Sequence, residues 1–173
     1  MARLARSRQQ LLGELVRLPA TLFLSPDNLD GQFISPPSFE RWLAPGYAQT
    51  AELLHRHDKR LMVHTGGPIG GVLHPLGAAG VDVVEGICGP PQSDASLAQA
   101  RERVDSSLVL WGGIAQDFLL ETTDQTEFEA AVAAVVAESK SVDAGIIGVA
   151  DRVPTDADLS RLEAIPRLIE QAT

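Results

Sequence analysis

The feature that most constrains the fold is a repeated order of apolar strand, polar loop and helix, and its clearest copy spans residues 59–85. Leu61–Val63 has the pattern of a buried strand, His64–Gly67 is a polar, glycine-rich turn, a helix ends near Gly80, and Val81–Val84 is a second buried strand. Strand patterns that alternate with helical patterns favour a parallel sheet. The segment therefore predicts a βαβ unit.

The same pattern recurs along the chain and sets the fold class. Strands are predicted near residues 22, 62, 83, 109 and 147, each followed by a loop and a helix. The glycines between residues 66 and 71 miss the G-x-G-x-x-G spacing of dinucleotide-binding folds, and no lysine follows a glycine run as in a P-loop. We therefore predict an α/β fold, a partial (β/α)8 TIM-type barrel with parallel strands and about five βα units, forming a single domain over residues 1–173. A closed barrel has eight units, so this one has an open sheet edge.

Three polar residues at predicted strand ends are the candidate catalytic groups. His64 and Glu85 follow neighbouring strands, and Asp151 follows the last strand. Ligands of α/β barrels bind at the carboxyl ends of the strands, so these side chains are expected at one rim. There His64 and Glu85 can form an acid–base pair or bind a hard metal ion. The alternatives are a structural histidine bonded to a loop, a carboxylate that caps a turn, and a charge at a helix entry.

Four further residues are predicted to bind substrate. Asp27 and Asn28 lie in an acidic loop after the first strand, where turn formation is their alternative role. Trp111 ends a strand beside two glycines and can support a flat ligand or fill the barrel core. Arg152 is the basic residue of otherwise acidic strand-end loops. Cys88 is expected to be an ordinary thiol.

Composition excludes several classes of function. The chain has 173 residues and a net charge of −9, so nucleic acid and anionic membranes are not expected as partners. One cysteine permits neither an internal disulfide nor a multi-cysteine metal cluster. No apolar run reaches the roughly 18 residues of a membrane helix. Residues 1–10 lack the apolar segment of a secretory signal, so a cytoplasmic location is expected.

Several segments of the chain carry a resemblance to a known family by their order: Ser25–Gly31, Ile34–Tyr47, Lys59–Gly67, Ala79–Glu85, Leu110–Ile114, Gly145–Gly148 and Val153–Pro154. Their order resembles the C-terminal half of the uroporphyrinogen decarboxylase superfamily. This superfamily contains haem-pathway decarboxylases and methylcobamide-dependent methyltransferases. The resemblance implies a TIM barrel with its site in the C-terminal mouth, while the family's first strands, with their substrate-contacting arginine and aspartate, have no counterpart here.

Two departures from the family pattern bear on activity. The methyltransferases bind zinc through a histidine, a cysteine two residues later and a late cysteine. Here His64 matches, but Gly66 stands at the first cysteine position and no cysteine follows Cys88, so no thiolate zinc centre is expected. The decarboxylases carry a histidine in the last loop, four residues before a proline, where this chain has Ala150.

The resemblance favours an uncharacterised methyltransferase-like or decarboxylase-like enzyme without a thiolate zinc centre. One alternative is a divergent uroporphyrinogen decarboxylase of haem biosynthesis, against which the scarcity of basic residues counts, because its tetrapyrrole substrate carries eight carboxylates. Another is a truncated or partner-dependent half-barrel that is inactive alone. The expected partners are a small or tetrapyrrole-like substrate, a corrinoid protein in the case of methyl transfer, and a second copy or another chain at the open sheet edge. No cofactor is assigned to the chain itself, and a bound metal is disfavoured.

Overall fold

The computed structural model describes the backbone of residues 2–172 and the side chains of residues 6–8 and 10–172. Strands and helices alternate after the first helix, as predicted. The strands are β1 Leu22–Leu29, β2 Arg60–Thr65, β3 Val83–Ile87, β4 Val109–Ile114 and β5 Gly145–Val149. The helices are α1 Ala2–Leu15, α2 Pro36–Trp42, α3 Ala44–His55, α4 Leu73–Ala78, α5 Leu97–Arg101, α6 Gln125–Ser139 and α7 Leu159–Ala172, with a 3-10 helix at Gln116–Leu119.

All five strands lie in one sheet in the order β1-β2-β3-β4-β5, and every neighbouring pair is parallel. Parallel neighbours joined by helical crossovers are the βα units of a barrel wall. The α/β fold with a partial TIM-type barrel is therefore confirmed.

Helices pack against one face of the sheet, and the other face is partly exposed. In β2, Leu61, Val63 and Thr65 are buried and alternate with Met62 and His64, which are partly exposed. Successive side chains of a strand point to opposite faces, so the buried set faces the helices. The other set lies on what we call the inner face, the face that a closed barrel would enclose.

Two hydrophobic clusters form the core on the helical side of the sheet. The larger packs Phe39, Leu54, Leu73 and Leu110 among buried residues of the first four strands and helices α2–α5. The smaller contains Ile114, Leu119, Phe128, Val132, Val136 and Ile165, and joins α6 and α7 to the end of β4.

Some predicted boundaries were wrong. Strand β1 continues through Leu29, so Asp27 and Asn28 lie within the strand beside an irregularity in its register, and not in a loop. The sequence also predicts that Thr155 caps the final helix; that helix begins instead at Leu159, because Ala157 first forms an isolated bridge with Leu120. The helical pattern after residue 35 contains Pro45, which predicts a kink or a split, and the structure has two helices there, α2 and α3.

Candidate active site

His64 and Glu85 form a hydrogen-bonded pair at the carboxyl end of the sheet. They are register partners on β2 and β3, so their side chains leave adjacent strands on the same face. His64 Nδ1 lies 2.6 Å from Glu85 Oε2. The side chains are only 15% and 16% exposed, which strengthens the electrostatic interaction relative to water.

Asp151 brings a second carboxylate to the same imidazole. Its Oδ1 atom lies 3.4 Å from His64 Nε2, and the Asp151 side chain is 30% exposed. The contact crosses the sheet, because Asp151 follows β5 while His64 lies near the end of β2. Asp151 has φ +66, a left-handed conformation that is uncommon for residues other than glycine and that occurs often at functional sites.

The two carboxylates favour the protonated form of His64. The hydrogen bond to Glu85 is the largest cause that raises the pKa of His64; burial opposes it, and the charges of Glu85 and Asp151 add to the rise. A histidine with an acceptor on each ring nitrogen can store a proton and release it to a group that replaces one acceptor. The arrangement is therefore suited to general acid–base chemistry.

Cys88 lies near this cluster, on the loop after β3. Burial, followed by the negative charges of Asp151 and Asp117, raises the pKa of the thiol to about 11. The thiol is therefore protonated at neutral pH and is a weak nucleophile. This agrees with its interpretation as an ordinary cysteine.

Trp111 lies on the inner face of the sheet, in the row of register partners that contains His64 and Glu85. It is the register partner of Glu85 on one side and of Ile146 on the other. The indole extends over β5, since a Cβ atom added to Gly148 would lie 2.5 Å from Trp111 Nε1. Trp111 is half-buried, so its indole is not enclosed in a core.

Asp27 has different partners from the cluster around His64. Tyr47 of α3 donates a hydrogen bond of 2.7 Å to Asp27 Oδ2, and the Ser25 hydroxyl donates to the same oxygen. Burial and the Asp27 carboxylate raise the pKa of Tyr47 far above its usual value. Within residues 2–172, no hydrogen bond or ion pair joins Asp27 to His64. The sequence did not indicate the role of Tyr47, since an inward tyrosine shows only that its hydroxyl needs some partner.

Asn28 connects the first strand to the loop that carries His64. It has φ +48, and its Oδ1 atom would lie 2.4 Å from a Cβ atom at Gly66. The amide of Gly66 also donates a hydrogen bond of 2.8 Å to the Leu29 carbonyl. Asn28 is therefore placed at the rim near His64, in contact with the His64 loop.

Arg152 borders a cavity of about 520 Å³ between the loops that follow β4 and β5. Leu120, Val153 and Pro154 supply apolar lining, while Asp117 and Asp156 supply carboxylates. Arg152 directly follows Asp151, so the loop that carries Asp151 to His64 also forms one wall of this cavity.

The residues present do not fit the thiolate zinc site of the methyltransferases. Both nitrogens of His64 face carboxylates, and glycine stands at position 66. Among residues 2–172, no group of three or more His, Cys, Asp or Glu side chains is arranged to hold a metal ion. In the same part of the chain, no helix has the length and apolarity needed to cross a membrane.

Comparison with known proteins identifies the family. A solved structure described as a methyltransferase from Methanosarcina mazei superposes with a TM-score of 0.63 and 17% identity over 87% of this chain, and this chain spans 41% of that one. A structure of D-psicose 3-epimerase in the presence of D-fructose, aligned over 94% of this chain and 89% of its own, has 7% identity and a TM-score of 0.26, too low to indicate a shared fold. No curated protein sequence matches the chain. The family profile described as uroporphyrinogen decarboxylase (URO-D) matches residues 1–171, and the chain belongs to this family.

Proposed function

We propose that the chain provides the C-terminal rim of an acid–base active site that acts on a small carboxylic acid in a decarboxylase-like reaction. The observation that carries this proposal is the His64 imidazole, with Glu85 2.6 Å from one ring nitrogen and Asp151 3.4 Å from the other. In this proposal His64 is the general acid, and Glu85 orients the ring and stabilises its charge.

The proposed reaction breaks the bond between the carboxylate carbon and its neighbour. The electron pair of that bond stays on the substrate carbon as carbon dioxide leaves, and the carbon takes the proton from His64 Nε2. The neutral imidazole then recovers a proton from water. The net change is one carboxylate and one proton converted to carbon dioxide and a C–H bond.

Charge disfavours uroporphyrinogen itself as the substrate. Glu85, Asp151 and Asp117 lie at or near the rim, against the cations His64 and Arg152. A substrate with many carboxylates would be repelled by this rim much more strongly than a substrate with one.

Methyl transfer is the second candidate, because the structural neighbour is named a methyltransferase. For this chemistry His64 and Glu85 would deprotonate the methyl acceptor, and a corrinoid protein would be the partner. No thiolate zinc centre takes part in this proposal, since position 66 is glycine.

We also propose that further βα units complete the site, from a partner chain or from the rest of a longer protein. The chain spans 41% of the methyltransferase that it resembles, and a closed barrel has eight strands. If these units are indispensable, the chain is inactive until they are supplied.

Measuring carbon dioxide release from a panel of small carboxylic acids tests the main proposal. We expect His64→Gln to reduce the rate by about 10²–10⁴-fold, the usual contribution of a general acid. His74→Gln is the control, since His74 lies exposed on α4. Equal, measurable rates for the chain and for His64→Gln would refute the proposed role, and a spectral change of added cobalamin without carbon dioxide release would favour methyl transfer.

A further inference from the structure

We infer that Asp151 is a placeholder: its carboxylate occupies on His64 Nε2 the position that the carboxylate of the substrate takes, and Arg152, the next residue in the chain, supplies a cation in the cavity that the same loop borders. This inference rests on the proposed function, because it takes Nε2 as the nitrogen that faces the substrate. It defines the ligand as a monocarboxylate with a small apolar body.

The two carboxylates on His64 are held in different ways. Glu85 lies in register on the adjacent strand, 2.6 Å from Nδ1, and is 16% exposed. Asp151 comes from a loop across the sheet, is 3.4 Å from Nε2, and is 30% exposed. The shorter, more buried contact is the stronger hydrogen bond. Glu85 is thus a fixed partner, and Asp151 stands on the solvent side where a ligand arrives.

The backbone of Asp151 favours its displacement. Its φ of +66 is a conformation that an aspartate adopts only at a cost in energy. A loop movement that lets this residue relax would offset part of the lost contact with His64. An arriving carboxylate would restore the charge at Nε2.

The neighbouring cavity indicates what kind of carboxylate fits. Arg152 is its cation, and no hydrogen bond or ion pair joins Arg152 to another side chain within residues 2–172. Asp117 and Asp156 line the same cavity, so a phosphate or polycarboxylate would meet excess negative charge. Leu120 and Val153 supply apolar contacts for the rest of a small ligand.

The test is a titration of the full chain with butyrate, followed through the NMR signals of the His64 ring. Asp151→Asn keeps the shape and tolerates the left-handed conformation, but it removes the competing charge. We expect it to bind butyrate about tenfold more tightly than the unchanged chain, as the loss of one competing charge-assisted contact implies. Asp151→Gly removes the side chain and the strain, and is expected to bind at least as tightly as Asp151→Asn.

Two further variants separate displacement from a general effect of charge. Asp156→Asn removes the same charge from the cavity without facing His64 and should change the affinity by less than about threefold. Adding Arg152→Gln to Asp151→Asn should weaken butyrate binding by about tenfold. An Asp156→Asn variant that binds as tightly as Asp151→Asn would overturn the inference, as would no gain of affinity in either Asp151 variant. Tetramethylammonium that shifts the His64 signals more strongly than butyrate would also overturn it.

The binding readout is independent of turnover. Tighter butyrate binding in the Asp151 variants without carbon dioxide release from any acid would support the placeholder and refute the decarboxylase-like function. Turnover through His64 with unchanged butyrate affinity in the Asp151 variants would support the function and refute the placeholder.

Discussion

The hydrogen bond between His64 and Glu85 makes the stability of the fold depend on pH. The pKa of His64 in the folded chain lies above its ordinary value of 6.5, with Glu85 as the largest cause. The stabilisation is complete below the unfolded pKa and is lost as the pH rises through the raised folded pKa. We expect Glu85→Gln to flatten this loss, measured by urea unfolding at several pH values between about 5.5 and 8.5.

Glu52→Gln is the matched control for this prediction. It makes the same chemical change in a solvent-exposed pair with Arg56 on α3, where an ion pair contributes little to stability. The pH dependence should therefore match that of the unchanged chain. If Glu85→Gln also leaves the dependence unchanged, the His64–Glu85 pair is not its source.

For single residues, the sequence predicts where a side chain lies in the fold better than it predicts which other side chains it contacts. His64 and Glu85 were placed at neighbouring strand ends by the strand patterns alone, and the register then brings them together. The contact of Asp151 with His64 depends on one left-handed residue in a loop, which no pattern in the sequence indicates. The hydrogen bond from Tyr47 to Asp27 depends on how α3 packs against β1, a tertiary feature. The catalytic and binding roles of these residues stay predictions.

Among the elements, the end of β3 depends on a glycine. Gly86 has φ +103, and a Cβ atom there would lie 2.1 Å from the backbone oxygen of Thr65. In Gly86→Ala the end of β3 must therefore move away from the end of β2, and alanine must adopt a strained φ. Together these effects should lower the free energy of unfolding by about 2–4 kcal/mol. Urea unfolding measures the loss, and the His64 NMR signals should shift because Glu85 precedes Gly86.

The control is Gly77→Ala in α4. A Cβ atom there meets only Leu108 Cδ2, at 3.7 Å, which is ordinary contact. Alanine favours a helix over glycine, so this variant should be neutral or more stable by about 0.5–1 kcal/mol. A Gly86→Ala variant as stable as Gly77→Ala would contradict the close approach of the β2 and β3 backbones.

The sequence predicts which strands form, but it does not predict where each helix or strand begins and ends. Five apolar runs separated by helical patterns specify parallel strands, because a crossover helix must return the chain to the same edge. The sequence predicts a helix start at Ser93-Asp94, a serine followed by an acidic residue, but α5 follows Ser96, whose side chain forms a capping box with Gln99. Two serines three residues apart offer competing caps, and packing decides between them.

At the scale of the whole molecule, apolar side chains are exposed to solvent on the inner face of the sheet. Leu24 is 50% exposed and Ile146 is 41% exposed, although both lie on strands, and their neighbours Phe23 and Ile147 pack into the core on the other side. Parallel sheets are normally covered on both faces, and the outer edges of β1 and β5 pair with no other strand of residues 2–172. A chain in water gains free energy by covering this face with a second copy or with further βα units.

Sedimentation of the purified chain tests this expectation. We expect a mass above the 18.4 kDa of one chain at micromolar concentration, and a shift towards the monomer in Leu24→Lys. Burial of one leucine contributes about 1.5–3 kcal/mol, so the dissociation constant should rise by roughly ten- to a hundredfold. Leu159→Lys is the control, because Leu159 is 63% exposed at the start of α7, on the helical side of the sheet. A folded monomer at every concentration would show that the inner face is stable when exposed to water. That result would contradict the expectation of a partner at the open barrel.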